Sequence, residues 1–335
     1  MPILEKIKQF KLILSPMAGI TDKPFRQLAR QFGADHTVSE MLTSDPTLQN
    51  TRKTAQRSDH SGEHGIIAVQ IAGSEPAQLA AAAQYHVANG AQIIDINMGC
   101  PVKKVCNVLA GSALLQNEKL VNEILNAVVQ AVDVPVTLKT RLGWDDEHKN
   151  IMTIAKMAEQ AGIAALAIHG RTRTQMYKGE AKYDLIHQVK QELGIPVWAN
   201  GDITSPQKAA QVLAETGADG ILMGRGAQGN PWLFADVKYY LENNKLPEPL
   251  PFQAACDTIL AHLQTMHDFY GEVGGVRIAR KHIGWYLENL PDGEDCRKQI
   301  NQIDHANQQF DTLAEFLRQQ SEKHEFWQRD YFQAA

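Results

Sequence analysis

Short runs rich in β-branched and other apolar residues recur eight times up to Met223, and a segment long enough for one helix separates each from the next. The runs are Leu12–Ser15, His36–Ser39, Ile66–Ile71, Gln92–Ile96, Val134–Lys139, Ala164–Ile168, Pro196–Ala199 and Gly220–Met223. Helical patterns fall between them, for example at Pro76–Val87, Val121–Val132, Met152–Ala161 and Pro206–Thr216. Helix stops stand before strands at Asn89-Gly90, Ala161-Gly162 and Thr216-Gly217. Strands joined through helices run parallel, because each helix carries the chain back to the end where the last strand began. Eight such units predict an α/β fold, a (β/α)8 TIM barrel. A doubly wound sheet is the alternative. It lacks the Gly-x-Gly-x-x-Gly that would follow a first strand.

A Pro-rich segment, Pro247–Pro251, ends the alternation. Only helical periodicities follow, at Cys256–Phe269, Arg277–Leu290 and Ile303–Gln319. The domains are therefore expected at 1–245, the barrel, and at 250–335, a small all-helical unit. The tail after Ser321 is polar with scattered aromatics and is expected to fray. No stretch approaches the roughly 18 apolar residues that span a membrane, and Leu12–Leu14 is too short for a signal-peptide core. Cys100, Cys106, Cys256 and Cys296 show no framework spacing, which fits a reducing, cytoplasmic location. Their spacing also argues against a zinc site, and no metal is expected.

The C-terminal strand ends form the active face of such barrels. Here nearly every strand brings a polar group to that rim. The ends read Pro16-Met17-Ala18, Glu40, Gln70, Asn97 with Cys100, Lys139 with Arg141, His169, Asn200-Gly201-Asp202 and Gly224-Arg225. Loops after the last two strands commonly hold a phosphate, and glycine backbone with Arg225 suits one. Asp202 would repel it, so this carboxylate is expected to turn away or to bind a sugar hydroxyl. Two tight turns and a surface arginine are the plainer account of those loops. Lys139 ends an apolar strand with no acidic residue near it in sequence. It either snorkels or stands beside an electron-rich ligand such as the pyrimidine edge of a flavin, which Gln70 could also reach. His169 is either a satisfied polar residue or a contact to cofactor or substrate.

Cys100 lies in Asp95-Ile96-Asn97-Met98-Gly99-Cys100-Pro101, a strand running into a turn, and Lys103 and Lys104 follow. Most unpaired cysteines are apolar filler. One lifted to a catalytic rim beside lysines suggests a proton donor acting on a polyanion. Nothing resembles a protease elbow around it. The net charge is −5, so the chain is no general nucleic-acid binder, and contact with RNA would need local basic patches. Three exist: Lys103-Lys104, then Arg171, Arg173 and Lys178, then Arg277, Arg280, Lys281 and His282 on one helical segment. Trp285 and Tyr286 offer stacking surfaces beside the last. A solvated helix face is the bland alternative for that cluster.

These segments together closely resemble the tRNA-dihydrouridine synthases, nearest to the bacterial B-type branch. The motifs are Ser15–Asp22, Val69–Gly73, Asp95–Lys104, Leu138-Lys139 with Arg141, Ile168–Arg173 and Ala199–Ile203, with Arg277–His282 in the second domain. The resemblance runs from about residue 12 to 230 before that last motif. It implies an FMN-bound barrel with a helical tRNA-binding domain, working as a monomer. NADPH, or NADH, would reduce the flavin, and a D-loop uridine at position 17 would be swung from its stack. Hydride would reach C6 of uracil while Cys100 protonates C5. Pro16, Met17, Ala18, Gln70, Lys139, His169, Asn200, Gly201, Asp202, Gly224 and Arg225 would hold FMN. Asn97 and Arg141 would lie near uracil or flavin, and Arg171, Arg173, Arg277, Arg280 and Lys281 would contact tRNA. Two other functions fit parts of the pattern. A reductase of free pyrimidines would need no basic helical domain, and a non-catalytic RNA-binding module would need no Cys100.

Overall fold

A computed structural model of the chain describes residues 1–48, 51–102, 110–329 and 331. Lys103, Lys104 and Cys106 lie outside them. The chain divides into two compact units, Met1–Gly224 and Arg225–Ala335. The sequence placed the division at 245–250, where the Pro-rich segment reads as a linker. The helix Leu233–Asn243 falls instead within the second unit.

Among the described residues of the first unit there are nine strands. They are β1 (Leu12–Leu14), β2 (His36–Thr37), β3 (Leu42–Thr43), β4 (Ala68–Ala72), β5 (Ile93–Met98), β6 (Val136–Arg141), β7 (Ala165–His169), β8 (Val197–Asn200) and β9 (Gly220–Met223). All pair in parallel, in the order β2-β1-β9-β8-β7-β6-β5-β4-β3. The two ends of that order are halves of one broken strand. His36 and Thr37 pair with Ile13 and Leu14, the next residue, Val38, bridges to Ala68, and Leu42 and Thr43 pair with Ile71 and Ala72. The ring is thereby closed as a (β/α)8 barrel, and the expected strand His36–Ser39 is its interrupted second stave. The break has its cause in the neighbouring strand. Ser39 Oγ accepts from the Gln70 backbone N–H at 3.0 Å, taking the place of a ladder carbonyl.

The helices follow their sequence signals closely. Pro76–Ala88, Glu118–Ala131, Ile151–Ala161 and Pro206–Thr216 form where periodicity places them. Asn117 and Ser205 cap two of them by accepting from Leu120 and Lys208 N–H, and Gly162 and Gly217 end two in left-handed conformation. The short helix Ile3–Ile7 packs Ile7, with Phe10, against Ile13, Val38, Ala68, Ile93, Ala165 and Trp198. Those residues lie at or near the starts of their strands, so this end of the barrel is filled with apolar side chains. His36 stacks on Phe10 there, and burial pushes its imidazole down to about 3, leaving it neutral.

The second unit is helical: Leu233–Asn243, Phe252–Leu287, Gly293–Ile300 and Ala306–Ser321. Gly271 (φ 74°, ψ 175°) breaks the long helix between the two expected segments, Cys256–Phe269 and Arg277–Leu290. The tail does not fray where expected. Phe326 bridges Pro251, and Trp327 N–H donates to Leu250 O at 2.8 Å. Beyond it Arg329 and Tyr331 are buried and both donate to Asp236 on the helix Leu233–Asn243. The Pro-rich segment thus partners the tail. Asp236→Ala would remove the carboxylate that the buried Arg329 and Tyr331 both meet, at a cost of about 3–5 kcal/mol. Chemical denaturation checks this; a loss below about 1 kcal/mol would mean that Arg329 reaches water instead.

Candidate active site

In a closed parallel barrel, alternate residues of each strand face inward. Register aligns Gln70 with Asp95, Asn97 with Lys139, Arg141 with His169, and His169 with Asn200. Asp95 and Asn97 on β5, and Thr137, Lys139 and Arg141 on β6, are spaced by two and share a face. A polar layer therefore lies above the apolar filling, toward the strand C-termini. All of these side chains are buried.

Lys139 Nζ donates to Asn200 Oδ1 at 3.0 Å, and Asn200 Nδ2 donates to Leu222 O at 2.9 Å. Burial, then the neighbouring Arg141 cation, push the Lys139 ammonium down to about 8. Asn97 Oδ1 accepts from the backbone N–H of Gly99 at 3.2 Å and of Cys100 at 3.0 Å. Its Nδ2 donates to Gln70 Oε1 at 2.7 Å. Arg141 Nε donates to Gly99 O at 2.7 Å, and Nη1 to Thr172 O and Met176 O at 3.0 and 2.9 Å. One guanidinium thus ties the cysteine turn to the loop after β7. Cys100 is half-buried, and an ionised thiol there would favour the charged forms of both Lys139 and Arg141. Ser112 Oγ donates to Cys100 O at 2.8 Å, closing the turn from its other side.

At the rim Pro16 and Met17 are half-buried and Ala18 is exposed. Glu40 holds this loop by accepting from Gly19 N–H, and it pairs with Arg57 at 3.1 Å. Gly201 has φ 126°, and a Cβ there would come within 2.7 Å of Ala181 Cβ and 3.0 Å of the His169 ring. Only glycine fits that turn. Gly224 follows β9; Arg225 is exposed and opens the second unit.

The structure brings two of the sequence candidates together in a way their separate roles did not anticipate. Asp202 turns to Arg171, in line with the expected turn away from a phosphate. It accepts from Arg171 Nη1 and Nη2 at 2.8 and 2.6 Å, and also from Ala181 N–H at 2.8 Å. Arg171 is 1 % exposed and also donates to Lys178 O and Gly179 O. The pair neutralises itself and fixes the Gly201-Asp202 turn. Arg173 lies over the Trp144 ring at 4.6 Å. In the second unit Arg277 is exposed and Lys281 half-buried. Arg280 is tied to Ile303 O and Asp304 at 2.8 and 2.9 Å. His282 is buried with its imidazole pushed well down by burial, so it adds no charge to the cluster. Tyr286 is buried against His262 at 3.0 Å and offers no stacking surface; Trp285 is half-buried.

Three residues escaped the sequence reading. Asp95 and Thr137 signal themselves only as polar residues inside buried strands. Tyr177, in the loop after β7, is 49 % exposed, lies 5.5 Å from the Arg141 guanidinium and 6.2 Å from the His169 ring, and belongs to no periodic pattern.

The family description Dihydrouridine synthase (Dus) matches residues 13–322. The chain belongs to the dihydrouridine synthase family. Its relatives include the tRNA-dihydrouridine synthase B of Xanthomonas axonopodis pv. citri, 58 % identical over 307 residues, 92 % of each chain. The tRNA-dihydrouridine synthase B of Vibrio vulnificus is 57 % identical over 307 residues, covering 92 % of this chain and 95 % of that one. A solved 2-naphthoyl-CoA reductase in complex with 2-naphthoyl-CoA superposes with a TM-score of 0.52 at 14 % identity, over 69 % of this chain and 50 % of that one. That likeness speaks for the fold alone. Among the described residues of this dihydrouridine synthase-family chain, no group of three or more His, Cys, Asp or Glu is placed to hold a metal ion. No described helix is long and apolar enough to cross a membrane.

Proposed function

We propose that this chain reduces a D-loop uridine of tRNA to 5,6-dihydrouridine, with FMN as its bound cofactor and NADPH as the reductant, acting as a cytoplasmic monomer. The observation that carries the reading is the polar layer itself. Cys100 is fixed through its backbone to Asn97, whose strand partner is Lys139, and through Gly99 to Arg141. The donor set suits a flavin. The Lys139 ammonium and the Gln70 amide can meet the carbonyl and nitrogen edge of its pyrimidine ring, with Asn200 and His169 on neighbouring strands. Pro16, Met17 and Ala18 would line the ring, and Gly201, Asp202, Gly224 and Arg225 would take the phosphate end. Asp202 would serve there by shaping the turn through Arg171 rather than by touching the ligand.

FMN, when bound and reduced, would supply the hydride that uracil takes up at C6. The residues of the chain do the rest. Addition at C6 builds enolate charge across C5 and O4, and the Cys100 thiol gives its proton to C5. The Lys139 and Arg141 cations stabilise the thiolate left behind, and its half-buried position allows a proton to return from solvent. Asn97 keeps the turn in place, while Arg141 and His169 flank the base.

Mapping dihydrouridine along tRNA from cells lacking this protein, and again after its return, tests the reading. Loss and recovery at one D-loop position, expected at position 17, support it; an unchanged map defeats it. For the second unit, Arg277→Ala with Lys281→Ala will weaken tRNA binding and lower its salt slope by about two. An unaltered slope would place the tRNA elsewhere.

A further inference from the structure

Four side chains form an unbroken line of hydrogen bonds beneath the cysteine turn. Thr137 Oγ1 donates to Asp95 Oδ1 at 2.6 Å, and Gln70 Nε2 donates to Asp95 Oδ2 at 2.6 Å. Gln70 Oε1 accepts from Asn97 Nδ2, and Asn97 Oδ1 accepts from the N–H of Gly99 and Cys100. Strand geometry sets this up. Asp95 is the register partner of both Gln70 and Thr137, and Asn97 follows it by two on the same face.

The direction of the line is forced from its Cys100 end. Backbone N–H groups only donate, so Asn97 must turn its carbonyl toward Cys100. When ionised, the Asp95 carboxylate only accepts, which agrees with the Gln70 amide nitrogen turning toward it. A flip of either amide would set oxygen against oxygen or N–H against N–H in a buried place. Ile94 and Ile96 flank Asp95 on its strand. An apolar residue in its place would leave Gln70 Nε2 without this acceptor, and the amide would be oriented by the Asn97 bond alone.

We propose that Asp95 is a positioning residue for Cys100, orienting the Gln70 amide and, through Asn97, fixing the backbone at Gly99 and Cys100. It deepens the reading of Cys100 as proton donor and rests on it for its consequence, though not for its geometry. A carboxylate at this depth is costly, and burial pushes its carboxyl above the ordinary value while the bonds from Thr137 and Gln70 oppose that rise. The cost is offset only if both bonds are made, which makes the two-sided grip on Asp95 and the order of the turn a single arrangement.

Backbone amide exchange in the full-length protein with FMN in excess tests this. Asp95→Ala and Gln70→Leu are each expected to raise exchange at Gly99 and Cys100 by about tenfold or more, while the β7 amides keep their protection. Asp95→Asn can still accept from Gln70 and donate to Thr137, so it should stay within about twofold of the unaltered protein. Asn97→Ala will raise exchange by itself, and adding Asp95→Ala to it will raise it no further. Unaltered exchange in Asp95→Ala, or a further rise in the double variant, overturns the proposal; Gln70→Leu decides should Asp95→Ala not fold. Failure of the proton-donor reading would show separately, as undiminished dihydrouridine formation by Cys100→Ala.

Discussion

Replacing Cys100 by alanine will lower dihydrouridine formation in tRNA by about 10²–10⁴-fold while NADPH oxidation and FMN binding persist. The substitution spares the bonds that the backbone of the turn makes. The N–H groups of Gly99 and Cys100 still donate to Asn97 Oδ1, and Arg141 still reaches Gly99 O. What disappears is the transferable proton. Hydride addition without it leaves an enolate that water must quench. The measurement pairs mass spectrometry of tRNA nucleosides with NADPH consumption in the same reaction. An undiminished yield of dihydrouridine would remove Cys100 from the chemistry. Parallel loss of NADPH oxidation would show that the thiol supports cofactor binding instead.

How much of this was legible in the sequence depends on whether the signal was local. Glycines that end helices, such as Gly162 and Gly217, act through their own backbone, so their strand boundaries are readable. The polar residues at strand ends follow from alternation and strand position, and Gln70, Asn97, Lys139, Arg141, His169 and Asn200 all lie in the layer that reading describes. Other features depend on partners remote in sequence. The break at Ser39 exists because its hydroxyl meets Gln70 on the neighbouring stave. Arg171 and Asp202 each look like a ligand contact alone, yet bind one another across two loops. Arg280 is drawn to Asp304, and the aromatic tail is pinned by Asp236, pairings that no spacing rule announces. The helix Gly293–Ile300 buries only Gly293, Cys296 and Ile300, too little to mark a periodicity.

Lys139→Met should stabilise the flavin-free protein and weaken flavin binding, two effects of opposite sign. Lys139 is 9 % exposed, and its ammonium donates to the neutral amide of Asn200, which offers no counter-charge. Burial, then the Arg141 cation, lower it from the ordinary 10.5 to about 8, so the charge is disfavoured in the folded state. At pH 7 the folded and unfolded lysine are both protonated, so the penalty is fully present. Removing it should add about 1–3 kcal/mol, less whatever the Asn200 bond contributes. The sign fixes the pH dependence. Above pH 8 the folded lysine loses its proton while the unfolded one keeps it up to 10.5, so the native protein gains stability through that window and the advantage of Met shrinks. Flavin affinity runs the other way. A protonated lysine answers the electron-rich edge of the ring, so FMN binding by the native protein should weaken above about pH 8, and that dependence should vanish in Lys139→Met along with roughly tenfold or more of the affinity. Thermal melts of flavin-free protein and fluorescence titration with FMN, each across pH 6.5–10, read the two effects separately. A variant that melts lower at pH 7 yet binds FMN as tightly would mean that Lys139 serves the barrel and not the ligand.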